Sequence, residues 1–211
     1  MFLHGFASSA QSTKARYFAE RLIEHHVILR RPDFNEPDFA TLTVTRMLDQ
    51  LEGELHAAPP ERVMLIGSSL GGALAILAAA RFADRVDRLV LLAPAVMFAK
   101  PGHDLLPPER VDEWRRKGSL PFFHYADNCE RPLNFTFYED SLKYDPFETR
   151  FTQPTLIFQG LHDRSVDPRT VERFARDRPN VTLSLLDDDH QLVASLPRMS
   201  NDMQPFLGLT D

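Results

Sequence analysis

Across its 211 residues the chain carries one cysteine, Cys129, and one tryptophan, Trp114. A lone cysteine cannot close an internal disulfide, which excludes a disulfide-stapled scaffold. With nothing reactive around it, Cys129 reads as a small core hydrophobe. Lysine and arginine form no extended run and the net charge is -6, which argues against a nucleic-acid backbone as partner. No hydrophobic signal region follows Met1, and no uninterrupted apolar run is long enough to span a bilayer. The expectation is therefore a cytoplasmic protein without a membrane partner. Neither a G-x-G-x-x-G fingerprint nor a P-loop occurs, and no cofactor is expected.

What is present is ordinary for a globular domain: 43% hydrophobic and 26% charged residues. The length suits residues 1–211 as one domain with a sizeable core. Short β-type runs at Met1 to Leu3, Val27 to Leu29, Val63 to Ile66, Leu89 to Leu92, Thr155 to Phe158 and Val181 to Leu186 alternate with helical segments. The helices are expected at Lys14 to Glu24, Phe39 to His56, Leu70 to Phe82, Pro168 to Asp177 and Gln191 to Phe206. Several strand runs are apolar at successive positions, as happens when helices cover both faces of a parallel sheet. The fold expected is a doubly wound α/β domain with a mostly parallel sheet of about six strands.

The region from Pro94 to Arg150 breaks this alternation. It holds a proline-rich tract after Lys100, then Trp114, then Pro121-Phe-Phe-His-Tyr and Phe135-Thr-Phe-Tyr. It is too long for one crossover helix, so residues 95–150 read as a cap or pocket wall over the carboxyl edge of the sheet. The alternative is a surface excursion whose aromatics pack on the main core.

The stretch Val63-Met-Leu-Ile-Gly-Ser-Ser-Leu-Gly-Gly passes from a strand into an alanine-rich helix through a G-x-S-x-G turn. A tight turn of this kind has no room for side chains at Gly67 and Gly71, and it lifts Ser69 above the sheet at a helix N-terminus, where negative charge is favoured. Ser69 could merely cap the helix, but capping explains neither the glycines nor the incoming strand. A serine nucleophile needs a base and an orienting acid. His190 follows the last strand, Asp163 follows the one before it, and the order Ser, Asp, His is the one this architecture uses. An acyl-transfer site also needs oxyanion donors. The backbone amides of Leu70, after the serine, and of Phe6, in the turn Leu3-His4-Gly5-Phe6, are the candidates. His4 itself reads as a loop-stabilising residue. Asp187-Asp188-Asp189-His190 bunches ligand-type side chains, but hard-cation loops space their ligands and no second cluster accompanies it, so no metal is expected.

These residues, together with Gly160-Leu161-His162-Asp163 and Leu3-His-Gly-Phe-Ala-Ser-Ser, resemble the α/β-hydrolase superfamily over nearly the whole chain, and its small bacterial esterase and acyl-thioesterase branch in particular. The resemblance implies Ser69 as nucleophile, Asp163 as acid and His190 as base. The chain starts at the strand leading into the His-Gly turn, so an α/β-hydrolase fold lacking the first strand pair is expected. The substrate implied is a small acyl ester or thioester. Phe98, Trp114, Phe122, Phe123, Phe135, Phe137 and Tyr138 are candidates for an apolar pocket, which would favour uncharged, moderately hydrophobic substrates. Peptidase, lactonase, carbon–carbon hydrolase or perhydrolase chemistry, and a non-catalytic binder, are the alternatives.

Overall fold

A computed structural model describes residues 1–98, Lys100 and residues 106–209. The elements along the chain are β1 (Phe2–Leu3), α1 (Thr13–Ile23), α2 (Val44–Ala57), β2 (Val63–Ser68), α3 (Leu70–Arg81) and β3 (Val86–Leu92). After these come α4 (Pro108–Lys117), β4 (Ser119–His124), β5 (Cys129–Asn134) and α5 (Thr136–Ser141), and then β6 (Thr155–Gly160), α6 (Pro168–Arg176), β7 (Val181–Leu186) and α7 (Leu196–Leu207). Strands β1-β2-β3-β6-β7 lie side by side in that order, all parallel.

Successive strand residues point to opposite faces, and both faces are apolar. Leu3, Leu65, Leu89, Leu91 and Ile157 join a core with Met47, Leu51, Leu74, Val171 and Phe174, from α2, α3 and α6. Phe2, Ile66, Val90, Leu92 and Phe158 join a second core with Phe18, Leu22, Met199 and Met203, from α1 and α7. Two-sided burial is the physical reason the strand runs lack a polar alternation.

Three expectations are corrected. The sheet has five strands among the described residues, not six. Val27 to Leu29 forms no strand, because β1 is two residues long and its pairing with this segment comes to one rung, Phe2 N donating to Arg30 O at 2.8 Å. Helix α2 begins at Val44, where Thr43 caps it by accepting from Arg46 N at 3.0 Å, and not at Phe39. Helix α7 begins at Leu196, because Gln191 to Val193 are used in a turn with Leu192 at φ 55°.

The inserted region folds as α4, the antiparallel β4–β5 hairpin and α5. It is fastened to the loops at the carboxyl edge: Tyr125 N donates to Ala7 O at 2.8 Å and Asn134 N to Ala40 O at 2.9 Å. Asp140 of α5 accepts from Thr45 N at 2.8 Å and from Thr45 Oγ1 at 2.6 Å. Ala99 and residues 101–105, which belong to the predicted cap, lie outside the described residues. Cys129 is exposed in the hairpin and is not a core residue, since both faces of its strand are in solvent over residues 129–132.

Candidate active site

Strand β2 ends where backbone packs against backbone. A Cβ on Gly71 would lie 2.0 Å from the carbonyl oxygen of Leu3, and one on Gly67 would lie 2.4 Å from that of Gly71. Only bare backbone fits, so α3 can start directly under β1. The turn between β2 and α3 puts Ser69 at φ 53° and ψ -115°, a conformation rarely adopted by a residue with a side chain. Its hydroxyl makes no capping bond to α3, and the rest of the residue is pinned. Ser69 N donates to Leu92 O at 2.9 Å, and Ser69 O accepts from Gly72 N, Ala73 N and Ala95 N.

The next two strands deliver the partners. At the end of β6 a Cβ on Gly160 would lie 2.5 Å from the carbonyl oxygens of both Asp188 and Asp189. The missing side chain lets the loop after β7 cross the strand end. That loop is stitched by its own acids: Asp189 Oδ1 accepts from Gln191 N at 2.7 Å and Asp188 Oδ2 from Ser195 N at 2.9 Å. Asp187 pairs instead with His162 at 2.7 Å, in solvent. The loop presents His190, whose Nδ1 lies 2.8 Å from Asp163 Oδ2 and whose Nε2 lies 3.1 Å from Ser69 Oγ. A carboxylate only accepts, so the ring proton sits on Nδ1 and donates to Asp163, which leaves the Nε2 lone pair to accept from the serine hydroxyl.

The Asp163 side chain is fully buried. Burial alone would raise its pKa, but bonds donated by His190, by the Val166 amide and by Gln159 outweigh that and hold the carboxyl below its ordinary range. Its Oδ1 accepts from Ser165 N and Val166 N, each at 2.8 Å, and its Oδ2 from Gln159 Nε2 at 2.9 Å. Asp167 is occupied elsewhere, capping α6 by accepting from Arg169 N at 3.0 Å.

The His-Gly turn closes the other side. A Cβ on Gly5 would touch Ser68 O at 3.3 Å and the Ser69 Cβ at 3.4 Å, which puts this turn beside the serine. His4 holds it, Nδ1 donating to Gly5 O and Nε2 accepting from Phe34 N, both at 2.9 Å. The Phe6 ring is clamped by Phe39, Phe122 and Phe137 at 5.4–5.6 Å between centroids. Among the described residues neither the Phe6 amide nor the Leu70 amide donates to a protein acceptor.

Ser69 and His190 open onto a cleft of about 1380 Å³ whose lining includes Phe6, Leu70, Met97, Phe98 and Tyr125. Here the aromatic-pocket expectation is corrected, because only Phe98 of the candidates lines the cleft. Trp114 and Phe137 are wholly buried and Phe135 nearly so, and the indole donates to Leu133 O at 2.7 Å. Phe122 packs on Trp114 at 4.9 Å, and Tyr138 stacks on Phe135 at 5.5 Å. Phe123 is 48% exposed, on the hairpin face turned to solvent. Apart from Phe123, these rings pack in the core that the insertion shares with the sheet, because a small excursion must bury large apolar groups to fold at all. Among the described residues the cleft lining also includes Ser8, Ser9, Ser12, Thr13, Lys14 and Arg164, so it is a mixed polar and apolar surface and not the aromatic pocket expected from composition.

Two residues at the site went unassigned in the sequence. Gln159 is a fully buried amide directly after the apolar run Leu156-Ile-Phe of β6. Lys14 lies on the buried face of α1, 8% exposed, and donates to Gln191 O at 3.0 Å, next to His190. Burial lowers its pKa to about 8 against the opposing pull of Asp163, Asp189 and Asp188. A polar residue ending an apolar run is the signal that marks Gln159.

Residues 1–206 match the Uncharacterised protein family (UPF0227), and the chain belongs to that family. No curated protein matches it. Its architecture is the α/β-hydrolase fold, shared with several solved structures at low identity. Est1E from Butyrivibrio proteoclasticus, solved with ferulic acid bound, is 21% identical with a TM-score of 0.83, over 98% of this chain and 86% of that one. Alpha/beta hydrolase domain-containing protein 10 from mouse is 20% identical with a TM-score of 0.78, over 98% and 88%. A monoacylglycerol lipase from Paleococcus ferrophilus is 14% identical with a TM-score of 0.74, over 98% and 92%. Among the described residues no helix is long and apolar enough to cross a membrane.

Proposed function

We propose that this UPF0227 protein is a serine hydrolase that cleaves small carboxylic esters or thioesters through an acyl-enzyme on Ser69. The observation that carries the reading is the unbroken relay from Asp163 through His190 to a serine held at positive φ on the cleft wall. In the first step His190 Nε2 takes the Ser69 proton as Oγ attacks the acyl carbon, and the carbonyl electron pair moves onto oxygen. The free Phe6 and Leu70 amides receive that oxyanion; one such donor is worth about 3–4 kcal/mol of barrier in comparable sites. Collapse breaks the bond to the leaving alcohol or thiol, which collects its proton from the imidazolium. Water, deprotonated by His190, then attacks the acyl-enzyme and returns Ser69 to its resting state. Asp163 stays ionised and stabilises the imidazolium in both halves.

The chemistry draws on side chains and backbone amides alone. In this reading residues 95–150 are a cap of which Ala95, Met97, Phe98, Tyr125 and Ala126 form a wall of the cleft. A fluorophosphonate probe tests the reading directly. It should label the wild type and fail to label Ser69→Ala. Absence of labelling in folded wild type would favour a non-catalytic ligand binder. Labelling without turnover of any ester or thioester would point to another chemistry of the same triad.

A further inference from the structure

The cleft beside Ser69 is unusual in its charges. The chain carries a net charge of -6, yet Lys14, Arg16 and Arg164 all line this cleft. The carboxylates on the same wall are Asp163 and Asp167. Asp163 is used by His190, two backbone amides and Gln159, and Asp167 by the first turn of α6. Helix α1, which carries Lys14 and Arg16, has no acid in its first turn. Arg16 and Arg164 are exposed and, among the described residues, have no ion-pair partner. Other exposed arginines are divided: Arg81 pairs with Asp49 and Glu52 and Arg115 with Asp112, while Arg116, Arg150, Arg169 and Arg176 are exposed and, among the described residues, form no ion pair. What sets Arg16 and Arg164 apart is their place on the cleft wall. Lys14 spends one of its three ammonium hydrogens on Gln191 O and keeps the others. A cleft wall on which cations outnumber carboxylates, and whose carboxylates are engaged by other groups, favours anionic ligands.

We infer that the wall formed by Lys14, Arg16 and Arg164 is an anion subsite, and that the natural substrate is an acyl ester or thioester bearing a carboxylate or phosphate group. This rests on the serine hydrolase reading above and narrows it. Guanidinium groups suit either anion, since both offer oxygens spaced for a paired N–H contact. The bond cleaved is unchanged; the cations hold the substrate's charged end and direct its acyl carbon toward Ser69.

The test uses two matched substrate pairs. Mono(4-nitrophenyl) adipate is compared with 4-nitrophenyl hexanoate, which places a carboxylate on the acyl side. Hexanoyl-CoA is compared with the hexanoyl thioester of N-acetylcysteamine, which places phosphates on the leaving group. At least one anionic substrate should exceed its neutral partner in kcat/KM, with the advantage shrinking as salt is raised. Whichever pair shows it identifies carboxylate or phosphate as the group bound. Arg16→Glu and Arg164→Glu should each cut that anionic-to-neutral ratio about fivefold or more, the scale of an exposed ion pair lost. Arg116→Glu makes the same charge change on α4, away from the cleft, and should leave the ratio as in wild type. Ratios near unity in both pairs, or ratios that Arg116→Glu lowers as much as Arg16→Glu and Arg164→Glu do, overturn the subsite while Ser69 labelling by fluorophosphonate and turnover of neutral esters leave the hydrolase reading standing. Loss of Ser69 labelling in the wild type takes down both.

Discussion

Two aspartates four residues apart sit in one loop, and their surroundings assign them different work. Asp163 is buried and accepts from the His190 ring at 2.8 Å, whereas Asp167 is exposed and caps α6. Asparagine at position 163 can still accept from Ser165 N and Val166 N, so the loop should hold. Its amide would instead donate toward His190 Nδ1 and favour the tautomer with the proton on Nε2, which cannot accept from Ser69. On the proposed mechanism Asp163→Asn should lower kcat by up to about 10⁴. Asp167→Asn should cost little in rate or stability, because asparagine caps as well as aspartate. Equal losses would show one shared network, and a loss only in Asp167→Asn would name the other acid. The Asp163 carboxyl titrates below its ordinary range in the fold. The unfolded chain therefore binds its proton first as pH falls, and the stability this group contributes is present above about pH 4 and lost below it. The stability gap between wild type and Asp163→Asn should accordingly be widest near neutrality and narrow in acid, as measured by urea unfolding.

At the level of elements, the strand-turn-helix around Ser69 is built on close approach of backbone. Gly71→Ala would force a methyl to within 2.0 Å of Leu3 O, with backbone on both sides and nothing flexible to yield. It should destabilise by at least about 1–3 kcal/mol. Gly53 sits on the exposed face of α2 with nothing within 4 Å of an added Cβ. Gly53→Ala should therefore stabilise by about 0.5–1 kcal/mol. Paired denaturation curves check both, and a neutral Gly71→Ala would mean that α3 can slide away from β1. The same contrast explains how much was legible in the sequence. The turn at Ser69, and the approach of Asp163 and His190 to it, were readable because each is a local exception at the end of an apolar run. Val27 to Leu29 looked like the other strands in composition, but pairing is a property of the neighbour, and β1 is too short to supply it. The pocket aromatics were misread for a related reason: composition says that rings are present, while only packing decides whether they face a cleft or each other. Lys14 was hidden because a lysine in an amphipathic helix ordinarily belongs to the wet face, and it takes the position of the loop after β7 to show that this one is inside.

On the scale of the whole molecule, the inserted region and the sheet share one core. Trp114, Leu120, Leu133 and Phe137 belong to the same buried cluster as Leu3, Leu65, Leu91 and Ile157. The ring of Phe6, from the turn beside Ser69, is the joint between them, packed on Phe122 and Phe137 of the insertion. A cap attached by a thin polar contact would open without disturbing the sheet, but here opening would expose the joint and strip Phe6 of the packing that fixes its amide. The insertion should therefore unfold with the rest of the chain in one transition. The sequence supplies the probe, because its single tryptophan is the buried Trp114, whose fluorescence reports the insertion while far-UV circular dichroism reports all the helices and strands. In urea the two signals should give the same midpoint and the same slope. A fluorescence transition at lower denaturant would mean that the insertion opens alone, and the wall it gives the cleft would then be a moving one.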